Sequence, residues 1–359
     1  MLAAPRLMPV LACLFAGGAL LVGCGGESGG EETTSGSFEP AESRPAPPKS
    51  DFPSPEGRTL RQVLKGADGP AELVVAPAAV VFYPGVNRYP FGVLDRDHGP
   101  VSDAEVALYY AKVPQPKPGA KSKPGNRGPV AKAEAQALDQ PAVGPFPASI
   151  ESLATKPAFR SQTTAEDPEA PGVVYSTELD LPEGEWLIAA ILKEDGELKG
   201  TLLPRAAVGE FKRIPEIGQK APKIHTPVAQ DVGGDLSKIT TRIPPDSQNK
   251  VDYADALGKE PIVLLFATPE FCQSRACGPV VDVAEQAKQE YGDKAAFIHM
   301  EIYNDNDPGQ GVRPQVRAFH LPSEPYLFAI DRNGVVRETV EGAFGLKLMH
   351  QAVEKAIAP

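Results

Sequence analysis

The sequence is poor in cysteine and in positive charge. Its 359 residues include four cysteines, and 36 lysines and arginines stand against 47 aspartates and glutamates, which gives a formal net charge of -11. This composition gives no support for a basic patch that would bind nucleic acid or an anionic membrane surface. The sequence also shows no phosphate-binding glycine loop and no Ser-His-Asp signature. Nothing in it therefore indicates nucleotide or serine-hydrolase chemistry.

What is present suits a globular protein. Hydrophobic residues make up 42% of the chain and charged residues 23%, which is the balance of folded domains rather than of disordered or fibrous chains. The length predicts about two domains.

The first 23 residues resemble the signal peptide of a bacterial lipoprotein. Arg6 precedes an apolar run from Leu7 to Val22, as in export signals. Residues 21–24, Leu-Val-Gly-Cys, resemble the lipobox, which implies cleavage before Cys24 and attachment of diacylglycerol to it. The alternative is an ordinary secretory signal or an uncleaved anchor. We expect a protein held by lipid on the extracytoplasmic face of the bacterial cell membrane.

This prediction makes the two remaining cysteines informative. Cys13 leaves with the signal and Cys24 carries lipid, so the mature chain keeps only Cys272 and Cys277 as thiols. An isolated pair in an oxidising compartment is a disulfide candidate.

The chain after Cys24 begins with a predicted disordered tether over residues 24–66. Residues 25–56 are mainly Gly, Ser, Glu and Pro with almost no large apolar side chains, so they are too polar to collapse into a core.

Residues 67–212 predict an all-β sandwich. Short runs such as AVVFYPG and EWLIAAILKEDG combine β-branched and aromatic residues with Pro, Gly and Asp punctuation, which is typical of strands and turns. The region resembles immunoglobulin-like domains of secreted bacterial proteins. A segment rich in Pro, Gly and Lys, residues 114–144, predicts a mobile surface loop.

A linker or lead-in follows over residues 213–250, and the last domain spans residues 251–359. The lead-in contains Ile-Gly-Gln-Lys-Ala-Pro at residues 217–222. After residue 251 the pattern is strand, helix, strand, helix, two hairpin strands and helix. It predicts an α/β domain whose first two strands are parallel and whose hairpin forms an antiparallel edge.

This last domain resembles the thioredoxin superfamily. The cysteines follow the first core strand in FATPEFCQSRACGP, and residues 321–326, Leu-Pro-Ser-Glu-Pro-Tyr, open the third strand. The resemblance implies that Pro325 is a cis-proline facing the cysteines. It also implies thiol-disulfide exchange with protein substrates, with no cofactor and no metal.

The cysteine spacing departs from that family, because four residues intervene instead of two. In a continuous helix, residues five apart are about 8 to 9 Å apart at Cα, whereas a disulfide needs about 4.4 to 6.8 Å. The pair can therefore bridge only if Cys272 lies in a loop before the helix or if the first turn unwinds. Since proline is tolerated in a first helical turn, we expect the helix to start near Pro279.

Two alignments with the family remain open. In the preferred one Cys272 is the nucleophile, Cys277 is the resolving cysteine and Arg275 is a candidate thiolate stabiliser. In the other, Cys277-Gly278-Pro279 matches the family's Cys-Gly-Pro and Val280 replaces the second cysteine.

Three other functions compete with the oxidoreductase hypothesis. One is a surface lipoprotein without enzymatic activity, in which the disulfide is a structural staple. Another is a peroxidase resembling bacterioferritin-comigratory peroxiredoxins, although Pro269 stands where their pattern has threonine. The third is a copper chaperone of the Sco type, with His299 or His320 joining the cysteines.

Overall fold

The β domain is built from ten strands and three short helices in the part of the chain that is described. The computed structural model describes residues 41–114, 128–209, 211 and 213–359. The predicted signal peptide and Cys24 lie outside these residues. The strands are β1 (Gly69–Pro70), β2 (Val74–Pro77), β3 (Gly85–Leu94), β4 (Glu105–Lys112), β5 (Val143–Pro147), β6 (Ser149–Ser152), β7 (Val173–Leu181), β8 (Gly184–Glu194), β9 (Glu197–Leu202) and β10 (Ala206–Val208), and the helices are α1 (Leu60–Leu64), α2 (Gly128–Ala137) and α3 (Gln162–Ala165).

These strands form two sheets that share one core. The larger sheet has the order β1-β9-β8-β4-β5, with β10 beside β8, and the smaller sheet has the order β2-β3-β7-β6. Alternate residues of β3, such as Tyr89 and Phe91, meet Leu108 of β4 and Ile188 of β8 in a single buried cluster. The predicted β-sandwich is therefore present. Its immunoglobulin-like character stays a prediction.

The tether is shorter than the sequence predicted. Residues 41–66 lie on the β domain: Arg44 pairs with Ile150 of β6 through two backbone hydrogen bonds of 2.8 and 2.9 Å, and Phe52, Leu60 and Val63 are buried. These three apolar side chains cover the outer face of the larger sheet. The polar composition of the surrounding segment gave them too little weight in the prediction of a disordered tether. Residues 24–40 lie outside the described part of the chain.

The predicted surface loop at residues 114–144 is also partly folded. It contains α2, whose Ala133 and Ala137 are buried against the larger sheet, and its last two residues begin β5. Alanine favours helices, so Ala133 and Ala137 were evidence for a helix in this segment. The high Pro, Gly and Lys content of the segment led to the prediction of a loop instead. Residues 115–127 are not among those described.

The C-terminal domain has the predicted sequence of elements, and the short helix at its start was predicted from residues 253–258, Tyr-Ala-Asp-Ala-Leu-Gly. They are α4 (Tyr253–Ala256), β11 (Ile262–Phe266), α5 (Cys277–Tyr291), β12 (Ala296–Met300), α6 (Pro314–Ala318), β13 (Tyr326–Ile330), β14 (Val336–Glu341) and α7 (Leu346–Ile357). The sheet order is β12-β11-β13-β14. β11 and β12 are parallel, β13 is antiparallel to β11, and β14 is antiparallel to β13, as the sequence predicted.

Side chains of β11 alternate between two cores because the sheet is covered on both faces. Val263 and Leu265 pack with α5 and α7, whereas Leu264 and Phe266 pack with α4 and α6. A strand covered on both faces is expected to be a continuous apolar run, and Ile262–Phe266 is one.

The lead-in belongs to this domain. Gly218 donates a backbone hydrogen bond of 2.8 Å to Val336, and Ala221 donates one of 3.0 Å to Gly334. The Ile-Gly-Gln-Lys-Ala-Pro segment therefore runs beside the β13–β14 hairpin. None of the described helices is long and apolar enough to cross a membrane.

The outer face of the smaller β sheet packs directly on α5 and its surroundings. Val174 of β7 and Leu153 lie in the same apolar cluster as Cys277 and Val280. Val280, Val283, Ala284 and Ala287 on one face of α5 are buried, and so are Asp282 and Gln286. A helix buried nearly all round is covered by two bodies, and here the second is the β domain.

Backbones approach closely where the two domains meet. A Cβ added at Gly345 would lie 2.2 Å from the carbonyl oxygen of Ser152. Arg88 of β3 spans the same boundary and donates hydrogen bonds to the carbonyl oxygens of Glu341 at 3.3 Å and Ala343 at 2.6 Å. The boundary therefore tolerates no added atom at Gly345.

We predict that Gly345→Ala destabilises the protein by about 1–3 kcal/mol, because the methyl group forces the two backbones apart. The measurement is the free energy of unfolding in urea. The matched control is Gly209→Ala, where an added Cβ meets nothing within 4 Å and little change is expected. Equal effects of the two substitutions would contradict this close packing.

Candidate active site

The two cysteines occupy the junction between β11 and α5. β11 ends at Phe266, Cys272 lies in the connecting loop, and Cys277 is the first residue of α5. Pro279 stands in the first helical turn, where its missing N–H is tolerated. The helix thus begins two residues before Pro279, close to the predicted start. Cys272 lies in the loop, as bridging by a disulfide requires.

Both thiols are buried in one apolar cluster. Cys272 is 2% exposed and Cys277 is 0% exposed, and both pack with Ala276, Val280 and Leu327. The two cysteines are free thiols in this structure, and a hydrogen bond joins their side chains. The fold therefore brings together the pair that the sequence singled out.

The pKa of the Cys272 thiol is lowered from its ordinary value. The largest cause is the hydrogen bond that the Cys277 side chain donates to it, and hydrogen bonds from the Ser274 hydroxyl and the Cys277 backbone act in the same direction. Burial opposes them, as does the charge of Glu324. The Ser274 oxygen lies 3.3 Å from the Cys272 sulfur. Cys272 is thus the thiol that ionises more readily.

The pKa of Cys277 is raised well above its ordinary value. Burial is the largest cause, and the hydrogen bond to Cys272 and the charge on that residue add to it. A thiol at a helix N-terminus ordinarily gains acidity from the helix dipole, but here burial outweighs that effect. The opposite shifts favour the alignment in which Cys272 matches the nucleophile.

Arg275 does not have the predicted position. Its guanidinium faces away from the thiols and pairs with Glu169 at 3.3 Å and with Asp167 at 3.8 Å. The backbone of Arg275 is left-handed, with φ of 55°, and this conformation directs the side chain toward the β domain. The groups that lower the pKa of Cys272 are instead Cys277 and Ser274. Ser274 was missed, although it lies inside the spacer.

The peptide bond between Glu324 and Pro325 is cis, as the resemblance implied. Glu324 raises the pKa of both thiols through its charge, so this loop borders the cysteine pair. The pKa of Glu324 is itself raised, first by burial and then by the charge of Glu301. Glu324 was not among the predicted site residues, and its position directly before Pro325 is the sequence signal that could have indicated it.

An aromatic pair completes the surroundings of the thiols. Tyr303 packs edge-on against Phe271, with ring centroids 6.3 Å apart. The pKa of Tyr303 is raised by burial and then by the charges of Glu324, Cys272 and Cys277. Tyr303 therefore stays neutral beside the site and offers a hydroxyl group there.

A buried ion pair contacts the start of the loop between β11 and α5. His299 of β12 contacts the Asp246 carboxylate through Nδ1 at 2.8 Å and the carbonyl oxygen of Ala267 through Nε2 at 3.1 Å. Burial alone would lower the pKa of His299, but the charge and hydrogen bond of Asp246 raise it. Burial would raise the pKa of Asp246, but the charge and hydrogen bond of His299, together with hydrogen bonds from the Gln248 backbone and the Thr240 hydroxyl, lower it to about 2. An acceptor faces each ring nitrogen of His299, so the doubly protonated imidazolium is the form that satisfies both contacts.

A second buried pair ties α5 to the β domain. Arg242 donates through Nε to Asp282 Oδ1 at 2.9 Å, and the backbone N–H and hydroxyl of Ser161 donate to Oδ2 at 3.0 and 3.1 Å. Arg242 also donates to the carbonyl oxygen of Phe159 at 2.7 Å. Asp282 is one helical turn beyond Pro279, so these contacts fix the start of the cysteine helix.

The histidines considered for copper are not arranged around the thiols. Both ring nitrogens of His299 are engaged, and His320 is exposed. In the described part of the chain, no group of three or more His, Cys, Asp or Glu side chains is placed to hold a metal ion.

Comparisons with known proteins give similarity to solved structures alone. No protein-family model matches the chain, and no curated protein does. A putative thiol:disulfide interchange protein DsbE from Chlorobium tepidum is 17% identical, covering 40% of this chain and 99% of that one, with a TM-score of 0.29. A thioredoxin family thiol:disulfide interchange protein from Chlorobium tepidum TLS is 15% identical over 42% of this chain and 100% of that one, with a TM-score of 0.28. A putative protein disulfide isomerase from Bacteroides thetaiotaomicron is 13% identical over 40% and 91%, with a TM-score of 0.24.

The strand order and the place of the cysteines decide the fold. Two parallel strands, an antiparallel hairpin and a cysteine pair at the first strand-to-helix junction occur together here. The C-terminal domain has a thioredoxin-like fold.

We predict that Ser274→Ala raises the pKa of Cys272, because a hydrogen bond to the thiolate is lost. The measurement is the pH dependence of alkylation by iodoacetamide in the Cys277→Ser background. Gln273→Ala is the matched control, since Gln273 is the exposed neighbour in the same spacer. A pKa that moves equally in both variants would show that the Ser274 contact is unimportant.

We predict that Asp246→Asn lowers the free energy of unfolding by about 3–5 kcal/mol at neutral pH, because the buried His299 charge loses its partner. The folded pKa of Asp246, about 2, lies below its unfolded value. Its stabilising contribution is therefore complete above about pH 4 and is lost as the pH falls toward 2. That acid-dependent loss should be smaller in the variant.

Urea unfolding measured from pH 2 to pH 7 tests both parts of this prediction. The exposed residue Asp97 supplies the control Asp97→Asn, which we expect to behave like the unchanged protein. An Asp246→Asn protein with unchanged stability at neutral pH would contradict the ion pair.

Proposed function

We propose that the protein is a thiol-disulfide oxidoreductase that acts on polypeptide substrates through Cys272 and Cys277. The observation that carries the proposal is the placement of two free, hydrogen-bonded thiols at one strand-to-helix junction, with Cys272 in the loop and Cys277 as the first residue of α5. The lowered pKa of Cys272 and the raised pKa of Cys277 support it. Thiol-disulfide exchange requires one thiolate that attacks the substrate and a second thiol that later resolves the mixed disulfide. A cysteine pair that only stabilises the fold as a disulfide does not need separate attacking and resolving thiols.

The proposed reaction has two steps. The Cys272 thiolate attacks one sulfur of a substrate disulfide, a mixed disulfide forms, and the other substrate sulfur leaves as a thiolate that takes up a proton. Cys277 then loses its proton and attacks the Cys272 sulfur. This releases the second substrate thiol and leaves the Cys272–Cys277 disulfide, so the substrate is reduced and the protein oxidised. The reverse sequence oxidises a dithiol substrate.

The surroundings of the pair suit these steps. Removal of the substrate leaves the Cys272 sulfur inside an apolar cluster, where a neutral disulfide is favoured over a charged thiolate. Glu324 places a carboxyl group in the cis-proline loop beside both sulfurs. Burial raises the pKa of this carboxyl group. Since Cys272 is 2% exposed, the spacer has to shift for a substrate sulfur to reach it.

We further propose that the protein works outside the cytoplasm, held to the membrane by lipid on Cys24. The lipobox-like residues 21–24 and the polar segment that follows support this placement. In an oxidising compartment the Cys272–Cys277 pair would meet substrate disulfides. Metabolic labelling with a fatty-acid analogue, compared between the full chain and Cys24→Ala, tests it. Labelling that persists without Cys24 would contradict the proposal.

The oxidoreductase proposal predicts that Cys277→Ser accumulates a mixed disulfide with a disulfide-bonded protein such as insulin, because the resolving thiol is missing. The measurement is the mass of the adduct on a non-reducing gel. Cys272→Ser should form none, and the unchanged protein should reduce insulin at a rate that both variants lose.

Two outcomes would contradict this proposal in different ways. If Cys272→Ser forms the adduct and Cys277→Ser does not, the roles of the cysteines are reversed. If neither variant forms one while both lose stability, the pair is a structural staple.

A further inference from the structure

We propose that a cavity between the smaller β sheet and the cysteine loop receives an apolar side chain of the polypeptide substrate, beside the disulfide that Cys272 attacks. This inference rests on the proposed function and names the substrate feature that the site selects. The β domain is then part of the substrate-binding site.

The cavity has a volume of about 330 Å³ and lies on the outer face of β2, β3 and β7. Its lining includes Gly92, Leu94 and Val174 of the smaller sheet, and Ala343, two residues after the end of β14. A volume of this size lies at the lower end of the range for binding pockets. It accommodates one large side chain rather than a whole peptide.

The four residues between the cysteines form the wall of this cavity. Gln273, Ser274, Arg275 and Ala276 all line it. The thioredoxin resemblance leads one to expect two residues between the cysteines, and this chain has four. With four residues the spacer is long enough to reach the β domain. We therefore relate the unusual spacing of the cysteines to the presence of the cavity.

Gly92 makes room for a ligand. On β3, Phe91 and Val93 point into the sandwich core, so Gly92 between them faces the opposite side. A Cβ added there meets nothing within 4 Å. Glycine weakens the interior of a strand and often marks a place where a ligand or another backbone approaches closely. Here the described residues leave that place empty.

Ser274 lies between Cys272 and the cavity. Its hydroxyl oxygen lies 3.3 Å from the Cys272 sulfur, and the same residue lines the cavity. A polypeptide in mixed disulfide with Cys272 therefore has its neighbouring residues within reach of the opening. This continuity is the reason for assigning the cavity to the substrate.

The lining decides the class of side chain. Leu94, Val101, Pro171, Val174 and Ala276 present apolar surface. The charged groups of Arg275 and Glu169, which also line the cavity, are paired with one another at 3.3 Å. His98, Gln273 and Ser274 are the other polar residues of the lining. Because the charges of Arg275 and Glu169 are paired and most other lining residues are apolar, the cavity favours an aliphatic or aromatic side chain over a charged one.

The experiment uses the full chain with Cys277→Ser and two peptide probes, Ac-Phe-Cys-Phe-amide and Ac-Gly-Cys-Gly-amide, each as a mixed disulfide with thionitrobenzoate. The Cys272 thiolate attacks the peptide sulfur, a Cys272–peptide disulfide forms, and thionitrobenzoate leaves as a coloured thiolate with the electron pair of the broken bond. We expect the Phe probe to react at least about tenfold faster, the factor that burial of one aromatic side chain supplies.

Filling the cavity should remove this preference. Gly92→Val should lower the rate ratio of the two probes toward 1, and Gly92→Ala, which adds a single methyl group, should lower it by a smaller factor. The matched control is Gly209→Val, at another open glycine, which should keep the ratio. If Gly92→Val fails to fold, the Gly92→Ala ratio decides.

The outcomes separate this inference from the proposed function. Equal rates for the two probes, or a ratio that neither Gly92 variant lowers, overturn the cavity assignment and leave the oxidoreductase proposal standing. If neither probe reacts with Cys272, both are overturned.

Discussion

Burial of two thiols side by side is the constraint on which this site depends. In an apolar cluster the charged form of a thiol is disfavoured, so the two sulfurs do not ionise equally. Cys272 receives the hydrogen bonds of Cys277 and Ser274, whereas Cys277 receives the full effect of burial. The Cys272 thiol is therefore the more acidic of the two and the Cys277 thiol the less acidic. This asymmetry requires Cys272 to lie in a loop and Cys277 to open a helix, which is the arrangement that the β11–α5 junction supplies.

The β domain has a direct part in this arrangement. Its smaller sheet and the segment containing α3 cover one side of α5, and Ser161 and Arg242 hold Asp282 near the start of that helix. A Cβ added at Gly278 would lie 2.9 Å from Thr164 Oγ1, so α3 touches the helix one residue after Cys277. The β domain thus contacts the helix that begins with Cys277. An interaction between packed domains of this kind transmits a change in one to the geometry of the other.

Local patterns in the sequence were sufficient for the C-terminal domain. The apolar run of β11, the spaced apolar residues of α5 and the Asn-Gly turn between β13 and β14 predicted its elements and their order, because each is a short-range signal. The spacing of the cysteines and the position of Pro279 also predicted that Cys272 precedes the helix.

Contacts between residues far apart in the sequence could not be predicted from such short-range patterns. Arg275 was assigned to the thiols, but its left-handed backbone and the carboxylates of Asp167 and Glu169 direct it elsewhere. Phe52, Leu60 and Val63 lie in a polar segment, and only contact with the larger sheet makes them core residues.

We expect Cys272 and Cys277 to form a redox couple that exchanges with substrates. The most direct test is the reduction potential of the pair, measured by equilibration in glutathione buffers and quantified by thiol alkylation. The account predicts one reversible two-electron transition with a potential between about −270 and −120 mV, the range of thiol-disulfide oxidoreductases. A disulfide that stays oxidised below about −300 mV is a structural staple and would contradict the claim, as would a pair that forms no disulfide under oxidising conditions.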